Sequence, residues 1–373
     1  MPILIGGCSQ GDGSGKPDSQ PTVGTAGDAA GKTATGREAN AKAEQASPEP
    51  PAVPSPRAPE IEAGKQLDET IRQLGDGFAG HLGIAVRDLA SGWTAHFGGD
   101  DFFPQQSVSK LWVAVTVLDQ VDNGWLDLSE EVTLERDDLT VFYQPVRTLV
   151  LRNDGYTTTL GDLLERAIVR SDNTANDFLL RRAGGPDAVR RTLAQKDLGG
   201  IRFGPGEREL QSEIAGLEWK PEYSIGPAFI NARAEVPLEE RRAAFKDYLD
   251  EPMDGAKPIG IVHALARLEK GQLLSPSTTR RLLELMARSA TGERRLGGGV
   301  PASWSIAHKT GTGQILEGTQ TGYNDVGLIS APDGQTYAVA VLIGRTSRPR
   351  AERRRLMQAA VEAAVAYHRA TDQ

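Results

Sequence analysis

The sequence predicts an α/β (α+β) fold in two parts: an antiparallel five-stranded sheet flanked by terminal helices, and an all-α half, with a cleft between them. Three observations predict it. Strand-like alternation is confined to the two ends of the folded region, helical spacing opens and closes that region, and its long middle reads as one helix after another. With 373 residues, 39% of them hydrophobic and 25% charged, the chain can bury one large core or two closely packed ones.

Residues 1–57 come first and contain few large apolar side chains among many Gly, Ala, Ser, Pro, Thr and Asp. Such a stretch cannot bury enough surface to offset chain entropy, so a disordered leader is expected. Within it, Ile5-Gly6-Gly7-Cys8 resembles a bacterial lipobox, although only Pro2 to Ile5 precede the small residues where a signal peptide needs about 7 to 15 apolar ones. The expectation is a lipid anchor at Cys8 on a flexible spacer, for an exported protein that is periplasmic or tethered to the cell envelope; the alternative is an incidental cysteine in a plain leader. Gly7 to Gly11 and Gly27 to Thr33 imitate a nucleophile elbow and a P-loop, but neither has the strand or helix that such motifs need.

The folded part is expected over 58–373. Ile61, Leu67, Ile71 and Leu74 recur at roughly helical spacing in an opening helix from Pro59 to Ala79. Two strands follow, His81 to Leu89 and Gly92 to Phe97, joined by a tight turn at Ala90-Ser91-Gly92. Helical patterns then dominate to about Leu268, among them Leu160 to Arg170, Asn173 to Ala183 and Gly260 to Leu268. Strands return after Leu285, at Ser303 to Thr310, Asp325 to Ser330 and Tyr337 to Gly344, the last two linked by Ala331-Pro332-Asp333-Gly334. A closing helix runs from Ala351 to Ala370, with Leu356, Ala359, Ala360, Val361, Ala364 and Tyr367 on its inner side. This assigns 58–103 and 285–373 to the α/β half and 104–284 to the helical half, with the stretch from about Gly216 to Pro258 unassigned.

Composition excludes several function classes. A net charge of −8 without long runs of like charge argues against a nucleic-acid partner. No apolar run approaches the roughly 18 residues that span a bilayer. The single cysteine excludes an intramolecular disulfide and a thiolate cluster, and the five histidines are scattered without i, i+3 or i, i+4 pairs. Neither a metal nor another cofactor is expected, and the protein is expected to act as a monomer.

Three motifs carry the chemistry. Ser107-Val108-Ser109-Lys110 opens a segment that is apolar on nearly all sides, which reads as a buried helix. The three-residue step sets the Ser107 hydroxyl and the Lys110 amine on one side of the first turn, a nucleophile beside a group that can manage its proton. Ser171-Asp172-Asn173 supplies a second hydroxyl, from Ser171, for proton delivery to a leaving nitrogen, and an amide, from Asn173, for substrate and Lys110. Lys309-Thr310-Gly311 lies in an alternating edge strand, Trp304 to Thr312: Lys309 attracts a substrate carboxylate, Thr310 hydrogen-bonds to it, and Gly311 lets another backbone approach. The N–H groups of Ser107 and Thr312 can together form an oxyanion hole. His308 is expected to be structural. Each motif alone is weak; the three in one order make a set for acyl transfer.

On these motifs the region of about 60–370 resembles the class A serine β-lactamases, within the superfamily that also holds the penicillin-binding proteins. Val141-Phe142-Tyr143-Gln144-Pro145 is similar to the segment carrying that family's cleft-wall aromatic, which makes Tyr143 a substrate contact. Glu207-Arg208-Glu209-Leu210-Gln211 resembles the family's E-x-x-L-N pattern on an Ω-shaped loop. Glu207 lies 207 − 171 = 36 residues after Ser171, as the resemblance requires. It implies that Glu207 activates the water that frees an acyl-enzyme, that Gln211 helps hold this water, and that an arginine near the last strand, Arg345 or Arg348, binds the substrate carboxylate. Three positions depart from the family pattern: Gln211 replaces an asparagine, Pro205 a loop-bracing arginine, and Asp177 an asparagine that supports the loop. The implied activity is β-lactam hydrolysis. The alternatives are a penicillin-binding-type D-alanyl-D-alanine carboxypeptidase or transpeptidase, and a catalytically silent binding module of the cell envelope.

Overall fold

The sheet joins the two ends of the folded chain, because the first strand pairs with the last. In this computed structural model, which describes residues 58–372, its spatial order is Thr94–Phe97, His81–Asp88, Thr336–Thr346, Thr319–Ser330 and Ser305–Thr312, all antiparallel. A two-residue strand, Ile315–Leu316, extends it beside Thr319–Ser330. The leader, with Cys8 and both imitation motifs, lies outside the described residues.

Both sheet faces are buried, which explains the near-continuous apolar runs in its central strands. Ile84, Val86, Val339, Val341 and Ile343 point into a cluster with Leu67 and Ile71 of the opening helix, Ala58–Asp76, and Met357 and Val361 of the closing helix, Arg350–Thr371. Between them Ala85, Ala338, Ala340 and Leu342 alternate into the second core, shared with the helical half. Small side chains on that face allow close approach: a Cβ at Gly83 would meet Phe103 and Pro258 at 2.5 Å. Each large aliphatic so buried contributes roughly 1.5–3 kcal/mol.

The helix Lys110–Asp122 runs through the second core, buried from Lys110 to Leu118. Around it pack Leu160–Val169, Asn173–Arg182, Pro258–Glu269 and Pro276–Ala287. Among the described residues, no helix is long and apolar enough to cross a membrane.

Expected elements are present with shifted ends. The strand expected from Asp325 begins at Thr319, its first half hidden in sequence by polar residues that are nonetheless buried. Asn324 is the clearest case: it donates to Pro104 O at 2.7 Å and Gln105 O at 3.0 Å and accepts from Ile343 N at 3.1 Å. The unassigned stretch contains two helices, Ala228–Glu235 and Leu238–Asp250, and both reach the site.

Candidate active site

Ser107 lies in a 3-10 turn, Gln106–Ser109, that feeds directly into the Lys110–Asp122 helix. Lys110 Nζ donates to Ser107 Oγ at 3.0 Å, as the three-residue step predicts, and also ion-pairs with Glu207 Oε1. Lysine 110 is fully buried and Glu207 is 6% exposed. A buried ammonium is tolerable only with such a partner.

Glu207 is the first residue of the helix Glu207–Ile214, where the helix dipole favours negative charge. Its predecessor Gly206 has φ 115°, and a Cβ there would stand 3.1 Å from Leu180, so glycine is required. No side chain from Gly206 can cap the helix. Asp177 caps it from another helix, accepting the Glu207 N–H at 3.1 Å and the Arg208 N–H at 3.4 Å. Burial, reinforced by the charge of Glu207, raises the Asp177 carboxyl to about 6. Gln211 Nε2 donates to Glu207 Oε2 at 3.2 Å and to Gln106 Oε1 at 3.0 Å.

Across the cleft, Lys309 Nζ donates to Ser171 Oγ at 2.8 Å and to Thr310 O at 3.0 Å. Full burial, and then the nearby Lys110, hold the Lys309 amine well below its ordinary value. Asp172 N-caps the next helix by accepting from Ala175 N at 3.1 Å, and it also holds Val146 N at 2.7 Å. Asn173 donates to Val141 O and to Tyr143 O, each at 3.0 Å, so the turn fixes the aromatic wall. Tyr143 projects outward, 58% exposed. Six non-glycine residues among those described have left-handed φ, and Gln106, Phe142 and Ser171 sit at or beside this cleft; backbone strain concentrates where side chains must be aimed.

A cavity of about 370 Å³ is lined by Ser107, Tyr143, Ser171, Asn173, Glu207, Gln211, Thr310 and Thr312. The fold thus gathers Ser107, Lys110, Ser171, Glu207 and Lys309 into one neighbourhood. Gly311 meets its sequence rationale: a Cβ would lie 2.2 Å from Gln105 O. His308 pairs with the buried Asp325 at 2.8 Å and does not line the cavity.

Arg345 must be corrected. It is exposed at the end of Thr336–Thr346, paired with Thr321, and the whole Thr319–Ser330 strand stands between it and the cleft-edge strand. Arg348 pairs with Glu352 instead. Beside the Lys309-Thr310-Gly311 strand the cleft instead has Arg295, whose guanidinium donates to Thr312 Oγ1 at 2.6 Å, Gly311 O at 2.9 Å and Asn324 O at 2.6 Å and packs over the Tyr323 ring at 3.9 Å. Sequence offers no sign separating it from its neighbour Arg294.

The sequence profile of the beta-lactamase enzyme family matches residues 66–368. The chain belongs to the class A serine beta-lactamase family. Among its relatives are the extended-spectrum beta-lactamase PER-1 of Pseudomonas aeruginosa, 30% identical over 74% of this chain and 79% of that one, and a beta-lactamase of Mycobacterium tuberculosis, 28% identical over 78% and 81%. A crystal structure of a beta-lactamase from Chitinophaga pinensis superposes with a TM-score of 0.62 at 25% identity, covering 82% of this chain and 99% of that one.

Gln106, Tyr248 and Asp254, for which the sequence holds no signal, also shape this site. Gln106 N–H donates to Asp254 Oδ2 at 2.7 Å and Gln106 Nε2 to Tyr248 OH at 2.6 Å, while Tyr248 OH donates to Asp254 Oδ1 at 2.9 Å. Tyr248 and Asp254 belong to the unassigned stretch. Among the described residues, Asp333, His368 and Asp372 bring metal-ligand atoms within 4.8 Å of one another, but none of them lines the cleft.

Proposed function

We propose that this beta-lactamase family member opens β-lactam rings through an acyl-enzyme on Ser107, which water activated by Glu207 then hydrolyses. The observation that carries the reading is the position of Lys110, in hydrogen-bond contact with both Ser107 and Glu207. In acylation, Ser107 Oγ attacks the lactam carbonyl carbon as its proton leaves. Glu207 takes that proton through a water, or Lys110 passes its own to Glu207 and takes that of Ser107. Both routes leave the added proton on Glu207.

The tetrahedral oxyanion rests on the N–H groups of Ser107 and Thr312. Its collapse breaks the C–N bond, and Ser171 protonates the nitrogen; the proton taken from Ser107 returns through Lys110 to Ser171, so Glu207 is again ionised. Lys309, Thr310 and Arg295 attract the ring carboxylate, and Tyr143 and Asn173 hold the acylamino side. In the second half-reaction Glu207 takes a proton from water, hydroxide adds to the ester carbonyl, and Ser107 Oγ leaves with a proton.

Intact-mass spectrometry after mixing with benzylpenicillin tests this, wild type beside Glu207→Gln. The variant should accumulate an adduct that the parent clears within seconds. A parent that itself retains the adduct for minutes is a penicillin-binding enzyme, and a parent that never forms one or consumes the drug is a silent binding module.

A further inference from the structure

Two arginines reach the cleft, one held by the last residue of the edge strand and the other by a residue just beyond it. Arg295 donates to Thr312 Oγ1, and Arg233 Nη1 donates to Gln314 Oε1 at 2.9 Å. Thr312, Gln314 and both guanidinium-bearing residues line the same cavity. Thr312 ends the edge strand and Gln314 follows it beyond Gly313, so the two cations are held by different side chains along one wall of the cleft.

Arg233 comes from the helix Ala228–Glu235, and its place is built. Phe229, one turn earlier, packs against its guanidinium at 6.0 Å and meets Phe142 of the cleft wall edge-on at 5.1 Å. Gln314 is oriented in turn, its Nε2 donating to Gln211 O at 2.8 Å and Gln211 Oε1 at 3.1 Å, which turns its Oε1 toward Arg233. Among the described residues no carboxylate lies within ion-pair distance of Arg233, whereas Arg242 of the next helix is paired with both Glu239 and Glu317. A half-buried guanidinium that spends one donor on a neutral amide and faces a cavity retains a fork of donors suited to a carboxylate.

We propose that Arg233 forms a second anion subsite, which recognises a carboxylate on the acylamino side chain of a β-lactam and so favours dianionic substrates. The inference rests on the hydrolytic reading above. A substrate whose ring carboxylate meets Thr310, Thr312 and Arg295 lies along the strand edge with its acylamino substituent beside Gln314, within the reach of Arg233.

Carbenicillin and benzylpenicillin differ by one carboxylate on the side-chain carbon, so the ratio of their kcat/KM values reads this subsite and cancels any loss of folded enzyme. Arg233→Gln should lower the carbenicillin-to-benzylpenicillin ratio roughly tenfold, as expected for one charge-assisted hydrogen bond. Arg233→Lys should keep most of the ratio, and added salt should lower it in the wild type but not in Arg233→Gln. A ratio within twofold of wild type in Arg233→Gln, or an equal loss in Arg233→Gln and Arg233→Lys, overturns the subsite. A wild type that hydrolyses neither penicillin overturns the hydrolytic reading itself, and the subsite with it.

Discussion

Asp177 illustrates how a single residue couples site architecture to pH. Its two oxygens cap the helix that begins with Glu207, yet the carboxyl is buried and raised from 3.8 to about 6. Between these values the folded state keeps a proton that the unfolded chain has released, so the group's contribution is fully present below 3.8, is lost as pH rises toward about 6, and stays lost above it. Asn at this position removes the buried charge while its carbonyl still accepts one of the two N–H groups. Asp177→Asn should therefore be more stable than wild type at pH 7.5 by about 1–2 kcal/mol, with the gap closing toward pH 4. Asp254, likewise raised to about 6, is present in both proteins, so the difference isolates Asp177. Urea unfolding at the two pH values checks this, and a gap independent of pH contradicts it.

At the scale of elements, the helix Leu238–Asp250 acts as a brace behind the turn that carries Ser107. Phe245 and Tyr248 pack on Leu210 and Ile214 of the Glu207 helix, and the Tyr248 hydroxyl bridges Gln106 and Asp254. Gln106 holds φ 53° just before Ser107, and its Oε1 steadies Gln211, which touches Glu207. Tyr248→Phe strands a buried amide donor and a carboxylate oxygen, at a cost of about 1–3 kcal/mol. Deacylation should slow more than acylation, so stopped-flow hydrolysis of nitrocefin should show a burst that wild type lacks; a lower Tm without a burst would make Tyr248 a packing residue only. This brace also marks the limit of what the sequence discloses. Ser107, Lys110, Ser171 and Lys309 are legible because each motif is set by its own turn or strand, and the five strands because short apolar runs and the turns that bound them are local. Tyr248 and Gln106 are 142 residues apart, and Arg295 reaches Thr312 only because the loop ahead of the edge strand folds back over it. No local pattern encodes such meetings, and Arg345 has the residue type for the role but stands with one strand between it and the cleft edge.

For the whole molecule, the sheet separates two tasks. One face buries the terminal helices; the other joins the helical half that, with the edge strand, encloses the cleft. The central strands alternate between the two cores residue by residue, so side chains of one core need not disturb those of the other. Met357 is fully buried in the terminal-helix core and does not line the cleft. Met357→Ala should cost about 2–4 kcal/mol from lost transfer energy and the cavity it leaves, lowering Tm by several degrees in a domain of this size. If the division holds, kcat/KM at 25 °C, normalised to sites that a slow-clearing β-lactam can titrate, should stay within twofold of wild type. One bridge from the closing helix is Arg353, which contacts Gln320 and the Tyr323 ring beneath Arg295. A proportional fall in normalised kcat/KM would mean that this bridge transmits core packing to the cleft, and that the two cores work as a single mechanical unit.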